Sequence, residues 1–292
     1  MKTVALILTL PALLAVTEAA SFYARNRNNG KIVSSGERRE YLLYVPPHLD
    51  RTKPAVLVMS LHPAGGWPAL QRDVSRWNEL ASREGFIVVY PAGRETAGPR
   101  IWHMEGDRDT RYIADLIEKL SAEYNIDPKR IYANGFSNGG GMSFALSCRM
   151  PDRFAAIGIV GAALLLPSTW CRSARPMPMI GIHGLRDRAA PYRGGPSWLA
   201  PHFESFLAFG DGWARRNRCA RQPQDVEIRD GVLRREYQQC ANDATVALYT
   251  LRDGGHTWPG GLELPEWFVG KTINDFDATA EMWRFFEQHR RR

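Results

Sequence analysis

The sequence predicts an α/β domain: a mostly parallel central sheet with helices packed on both faces. Three observations carry that prediction. Residues 54–61 and 86–90 are nearly continuous apolar runs, the pattern of strands buried on both sides. Strand-like runs alternate with helical periodicity along the chain, and parallel neighbours need such crossovers. Between a β-prone run at 130–133 and a helix-prone run at 142–146 stands Gly135-Phe136-Ser137-Asn138-Gly139-Gly140, a serine on a strand-to-helix turn with a glycine two residues to either side.

The elements read in order as follows. Residues 21–37 are polar and Gly/Asn-rich, a loop or weak hairpin. Residues 39–45 form a strand that stops at Pro46-Pro47. The 54–61 strand runs into a tight turn, His62-Pro63-Ala64-Gly65-Gly66. A helix is expected over 73–83, ended by Gly85, and the 86–90 strand is closed by Pro91. Residues 94–107 form a loop rich in Gly, Pro and charge that carries Trp102-His103. Ile113, Leu116, Ile117 and Leu120 recur at helical spacing and predict a helix over 109–124. Asp127-Pro128 restarts the chain toward the serine turn. Strands follow at 154–161 and 179–183. The Gly/Pro/aromatic-rich stretch 191–212 is expected to hold a short helix near Glu204. The last strand is 245–250. An amphipathic helix over 275–289 presents Phe276, Met282, Trp283, Phe285 and Phe286. No linker, repeat or low-complexity break interrupts residues 21–292, so one domain is expected.

Before that domain, Lys2 precedes an apolar run from Val4 to Val16 and the small-residue stretch Thr17-Glu18-Ala19-Ala20-Ser21. This is the pattern of a secretory signal peptide, residues 1–20, cleaved near Ala19 or Ala20. A membrane anchor needs about 20 apolar residues; this run is shorter and contains Pro11. The mature chain is therefore expected to be exported, extracellular or periplasmic, with no stable membrane insertion. Four cysteines without a C-x-x-C fit an oxidising compartment better than a zinc ribbon or a thioredoxin-type motif. Pairing neighbours, Cys148 with Cys171 and Cys219 with Cys240, would close loops of about 20 residues, each contributing roughly 3 kcal/mol in the chain-entropy model. Sequence alone permits three connectivities. The net charge of +7 and pI near 9.4 come from Lys and Arg spread along the chain, with one tight cluster at Arg290-Arg291-Arg292. Without a nucleic-acid motif this reads as a solvated basic surface, and no nucleic-acid partner is expected.

The serine turn suggests acyl transfer. Such a turn exposes the hydroxyl at a helix N-terminus, where free N–H groups stabilise a developing oxyanion. A serine nucleophile also needs a histidine to take its proton and a carboxylate to hold that histidine's tautomer. On a parallel sheet both belong just beyond the carboxyl ends of later strands, in the order Ser, Asp or Glu, His. Asp187 follows the 179–183 strand, and His256 follows the 245–250 strand within a Gly/Pro-rich loop. Ser137, Asp187 and His256 are therefore the candidate catalytic residues. His183 reads as structural and His62 as ordering its own turn. Asp253 lies in the histidine's own loop, and Asp243 lies at the wrong sheet edge. For the oxyanion, the N–H of Asn138 supplies one donor. Pro63 has no N–H, which leaves Ala64 as the second, with Gly65 behind it. Neither H-E-x-x-H nor clustered His/Asp ligands occur, so no metal is expected.

The quoted serine turn, together with His183-Gly184-x-x-Asp187-x-x-x-Pro191-Tyr192 and Gly255-His256-Thr257-Trp258-Pro259-Gly260-Gly261, resembles the LpqC-type secreted esterases, a group related to poly(3-hydroxybutyrate) depolymerases and to feruloyl and acetylxylan esterases. The resemblance covers nearly the whole mature chain, including the cysteine placement. It implies an α/β-hydrolase fold and a cofactor-free serine esterase whose triad falls on Ser137, Asp187 and His256. The chain departs from the family in its oxyanion turn, where Pro63 replaces the first glycine of His-Gly-x-Gly-Gly, and in having few aromatics before the 109–124 helix beyond Trp102. The expected partner is an ester substrate, a plant-polysaccharide or polyester fragment, with Trp102 and Trp258 as candidate walls of its cleft. The alternatives are a polyester depolymerase and a non-catalytic binding protein on the same scaffold.

Overall fold

The computed structural model describes residues 21, 24, 26–95, 99–171, 175–220 and 222–291; the expected signal peptide lies outside the described residues. Ten strands form one sheet: β1 (Gly30–Ser34), β2 (Glu37–Tyr44), β3 (Ala55–Leu61), β4 (Ile87–Pro91), β5 (Ile126–Phe136), β6 (Ala156–Val160), β7 (Met179–Gly184), β8 (Gln224–Arg229), β9 (Val232–Tyr237) and β10 (Val246–Leu251). Their spatial order is β1-β2-β4-β3-β5-β6-β7-β10-β9-β8. The central six, from β4 to β10, are mutually parallel, and antiparallel strands extend both edges. Every residue of β3, β6, β7 and β10 is buried, as their continuous apolar sequences require. Successive β3 side chains point to opposite faces: Leu57, Met59 and Leu61 join one core, Val56 and Val58 the other.

The helices are α1 (Pro68–Ser75), α2 (Trp77–Glu84), α3 (Asp107–Glu123), α4 (Asn138–Arg149), α5 (Phe206–Arg216), α6 (Glu266–Val269) and α7 (Ala278–Glu287). One core holds Leu116 of α3, Phe144 of α4 and Trp213 of α5. The other holds Val74 of α1, Trp77 of α2 and Phe286 of α7. Burying one such large apolar side chain contributes about 1.5–3 kcal/mol. The rings of Trp77, Phe286 and Tyr132 stack in series, fastening α7 to α2 and β5.

Several boundaries differ from expectation. The helix expected over 73–83 is two helices that start earlier, because Arg76 takes left-handed backbone angles (φ 55°) and breaks the ladder between them. The helix near Glu204 is the eleven-residue α5, capped by the Ser205 hydroxyl on the Ala208 N–H. The β8–β9 hairpin occupies a stretch where sequence reading assigns no strand. Its β8 is exposed or nearly so at every residue and carries only a short apolar alternation, Val226 and Ile228, although Asp230-Gly231 is a hairpin-turn signal and Gly231 has φ +73°. All four cysteines are bonded, Cys148 to Cys171 and Cys219 to Cys240.

Candidate active site

The carboxyl ends of β3, β5, β7 and β10 lie in register across the sheet: Leu61 beside Gly135, and His183 beside Thr250. The candidate residues sit just beyond these ends. Ser137 links β5 to α4 with φ 54° and ψ −118°, angles that cost a non-glycine residue about 1–3 kcal/mol. Surrounding bonds hold it there: Ser137 N–H donates to Val160 O at 3.0 Å, and Ser137 O accepts from Ala163 N–H at 2.9 Å. The turn also needs glycine beside it. A Cβ on Gly139 would lie 2.2 Å from Leu61 O, and one on Gly135 would lie 2.2 Å from the carbonyl of Gly139.

His256 reaches this turn from the loop after β10. Its N–H is anchored on Val269 O at 2.6 Å, and its ring lies 4.9 Å from that of Phe136. His256 Nε2 accepts from Ser137 Oγ at 2.9 Å, and Nδ1–H donates to Asp187 Oδ2 at 2.7 Å. All three residues are at least nine-tenths buried. Asp187 Oδ1 accepts two backbone N–H groups, Ala189 at 2.9 Å and Ala190 at 2.8 Å. Burial would raise the Asp187 pKa, but the imidazolium charge of His256 and the hydrogen bonds from His183 and His256 outweigh it and hold the carboxyl well below its usual range. His183 is a supporting residue: its Nε2–H donates to Ala190 O at 2.8 Å and lies 3.3 Å from Asp187 Oδ2. Asp253 is turned to the surface, paired with Arg186 at 2.8 Å.

The two expected oxyanion donors come from different elements. Asn138 is the first residue of α4. In the turn after β3, Gly65 N–H is taken by Arg100 O and Gly66 N–H by Pro63 O, which leaves the exposed Ala64. A side-chain bridge that sequence reading did not find joins the two elements. The Asn138 carboxamide exchanges two hydrogen bonds with the Trp102 backbone, at 2.7 and 3.2 Å. The Trp102 indole N–H donates to His62 O at 3.0 Å. Nothing in the sequence pairs residues so far apart.

Residues 39–186, just over half of the chain, match the family model described as esterase PHB depolymerase. The chain belongs to that esterase family. The match includes Ser137 and stops one residue before Asp187. Among curated relatives, the bifunctional acetylxylan esterase/xylanase XynS20E of Neocallimastix patriciarum is 31% identical over 59% of this chain. Feruloyl esterase B of Piromyces equi is 28% identical over 75%. The chain spans 25% and 42% of the lengths of these two proteins. Feruloyl esterase C of Emericella nidulans is 30% identical over 85% of this chain and 83% of the relative. An acetyl xylan esterase structure from Aspergillus awamori superposes with a TM-score of 0.60, covering 78% of this chain and 93% of that one at 16% identity. That likeness concerns the fold, which is the α/β-hydrolase fold.

In this family member the two tryptophans expected to wall the cleft are both buried, and of the two only Trp102 borders an open cleft. Trp258 is 1% exposed: its indole N–H bonds Thr279 Oγ1 at 2.9 Å, and its ring packs edge-on against Phe136. Trp102 is 2% exposed and its polar atoms belong to the bridge described above. Neither offers an open face for stacking. The space beside the bridge is a cleft of about 600 Å³ whose walls include Trp102, His103, Met104, Leu165 and Leu166, with Arg94 and Arg108 also contributing to its lining. Leu165 and Leu166 follow β6 and carried no sequence signal beyond apolarity. Among the described residues no group of three or more His, Cys, Asp or Glu side chains could hold a metal, and no helix is long and apolar enough to cross a membrane.

Proposed function

We propose that the chain is an exported serine esterase, residues 21–292 after removal of a signal peptide, that hydrolyses feruloyl or acetyl esters on plant-polysaccharide fragments. The observation that carries the mechanism is the unbroken relay Ser137 Oγ–His256 Nε2 and His256 Nδ1–Asp187 Oδ2, at 2.9 and 2.7 Å. His256 takes the Ser137 proton as Oγ attacks the ester carbonyl, and Asp187 stabilises the imidazolium. The Asn138 and Ala64 N–H groups receive the oxyanion. Collapse of the tetrahedral adduct expels the alcohol, which leaves with the proton from His256. Water, deprotonated by the same histidine, then attacks the acyl-enzyme, releases the acid and restores Ser137.

The names of the curated relatives support the acyl classes, and the two disulfides support an oxidising compartment. A second reading, cleavage of short polyesters, is favoured by the description of the matching family model.

The test is a panel of p-nitrophenyl acetate, methyl ferulate, acetylated xylan and 3-hydroxybutyrate oligomers, with and without a serine-reactive phosphonate. Phosphonate should label Ser137 and stop turnover of the carbohydrate-type esters. Ser137→Ala should be inactive with an unchanged fold. Asp187→Asn should turn over about 10⁴-fold more slowly, the scale on which a wrong histidine tautomer acts. A nearly silent Asp187→Asn would place the acid elsewhere, and hydroxybutyrate oligomers as the sole substrate would select the second reading.

A further inference from the structure

Three large aromatic side chains stand open on the surface: Trp198 is 64% exposed, Trp267 88% and Phe268 56%. They are gathered rather than scattered, for the Phe268 ring lies 5.7 Å from both tryptophans. Trp267 and Phe268 belong to α6, and the next residue, Val269, accepts the His256 N–H. Trp198 follows Ser197, whose hydroxyl bonds Ala189 O two residues beyond Asp187. The cluster is thus built on the two loops that carry Asp187 and His256. Beside it opens a cleft of about 520 Å³ in whose lining Arg186, Arg188 and Lys271 outnumber Asp253 and Glu266. Arg186 is paired with Asp253; Arg188, Lys271 and Glu266 have no ion-pair partner among the described residues, which leaves two cations against one carboxylate.

Contiguous exposed aromatics mark a surface that something covers. Open indole and phenyl faces stack on the CH faces of sugar rings, and the unpaired cations beside them attract carboxylates. We propose that the Trp198–Trp267–Phe268 surface docks an acidic polysaccharide, one bearing uronate groups, beside the active site; that the docked chain is also the ester substrate rests on the esterase reading above. A polyester carries no anion along its repeat to meet Arg188 and Lys271. A second copy of the chain, packed symmetrically, would bring the same cations toward each other.

Affinity electrophoresis of the Ser137→Ala protein through gels containing glucuronoxylan tests this without hydrolysis. Retardation should exceed that in carboxyl-reduced xylan and fall with added salt. Adding Trp198→Ala and Trp267→Ala should weaken it about tenfold, while Arg188→Gln with Lys271→Gln should erase only the preference for the acidic polymer. In the Ser137 background the same surface changes should leave p-nitrophenyl acetate turnover as it is. Undiminished retardation in the tryptophan variant would overturn the proposal. So would stronger adsorption to a poly(3-hydroxybutyrate) film, or a dimer by light scattering that the tryptophan changes dissociate. If glucuronoxylan retards the protein as expected but the Ser137 enzyme cleaves no ester, the docking surface stands and the esterase reading falls.

Discussion

His62 uses its two ring nitrogens in opposite roles: Nδ1–H donates to Pro63 O at 2.8 Å, and Nε2 accepts the Gly93 N–H at 2.9 Å. The Gly93 bond requires Nε2 to be unprotonated, whereas the Pro63 bond survives in either state and favours the charged one; burial outweighs it and lowers the pKa from 6.5 to about 4. Between those values the unfolded chain binds more protons than the folded one, so stability rises with pH. The contribution is fully present above pH 6.5 and is lost as pH falls toward 4, a change of about 3 kcal/mol. Urea unfolding from pH 7 to 4.5 should show it, and His62→Gln, less stable at pH 7, should lose stability less steeply. Trp102 holds His62 O from the other side. Trp102→Phe removes the indole donor and part of a buried ring, so the thermal midpoint should fall by a few degrees. It should also lower kcat about tenfold to a hundredfold with KM nearly unchanged. A lowered thermal midpoint with kcat unchanged in the folded protein would reduce Trp102 to a core residue.

At the scale of elements, the serine turn works because α4 packs against the end of β3. The space a Cβ on Gly139 would need is occupied by Leu61 O and His62 O, at 2.2 and 2.7 Å. Backbone atoms there cannot yield as a flexible side chain could. Gly139→Ala should destabilise the protein by about 2–3 kcal/mol, read as a lowered denaturant midpoint, and should impair turnover in the fraction still folded. The expected strands were legible because burial on both faces writes itself as uninterrupted apolar sequence. The break at Arg76 was not legible, since an arginine in left-handed backbone leaves no mark in the periodicity. The β8–β9 hairpin is a different case: Val226 and Ile228 alternate in β8 but face water, so no uninterrupted apolar run marks the strand, and its fold is set by pairing with β10 and by the turn at Gly231.

Across the molecule, the two disulfides close stretches with sequence separations of 23 and 21 residues. Constraining the unfolded chain in this way contributes about 3 kcal/mol per bond in the loop-entropy account. Reduction should therefore lower the unfolding free energy by several kcal/mol, measurable as a shifted urea midpoint. Because Cys148 lies in the last turn of the helix that begins at the serine turn, loss of its bond should also raise α4 hydrogen exchange. Mass spectrometry of the native protein would check the two pairings directly. A small part of the +7 charge is gathered at this scale, where Arg188 and Lys271 stand beside exposed aromatics.

The sequence by itself determined the α/β class, the place of the serine turn, and the positions after β7 and β10 where Asp187 and His256 stand. Each follows from local rules: strand burial, the small residues a sharp turn demands, and the order in which strand ends meet one sheet edge. Only the tertiary structure decided what lies between those landmarks. Trp102 and Trp258, both plausible cleft walls by residue type, are buried by contacts with Asn138, His62, Phe136 and Thr279. Trp198 and Trp267 are the tryptophans left open. Residue type sets what an indole can do; which face of it meets solvent depends on neighbours distant in sequence, and no local pattern encodes them.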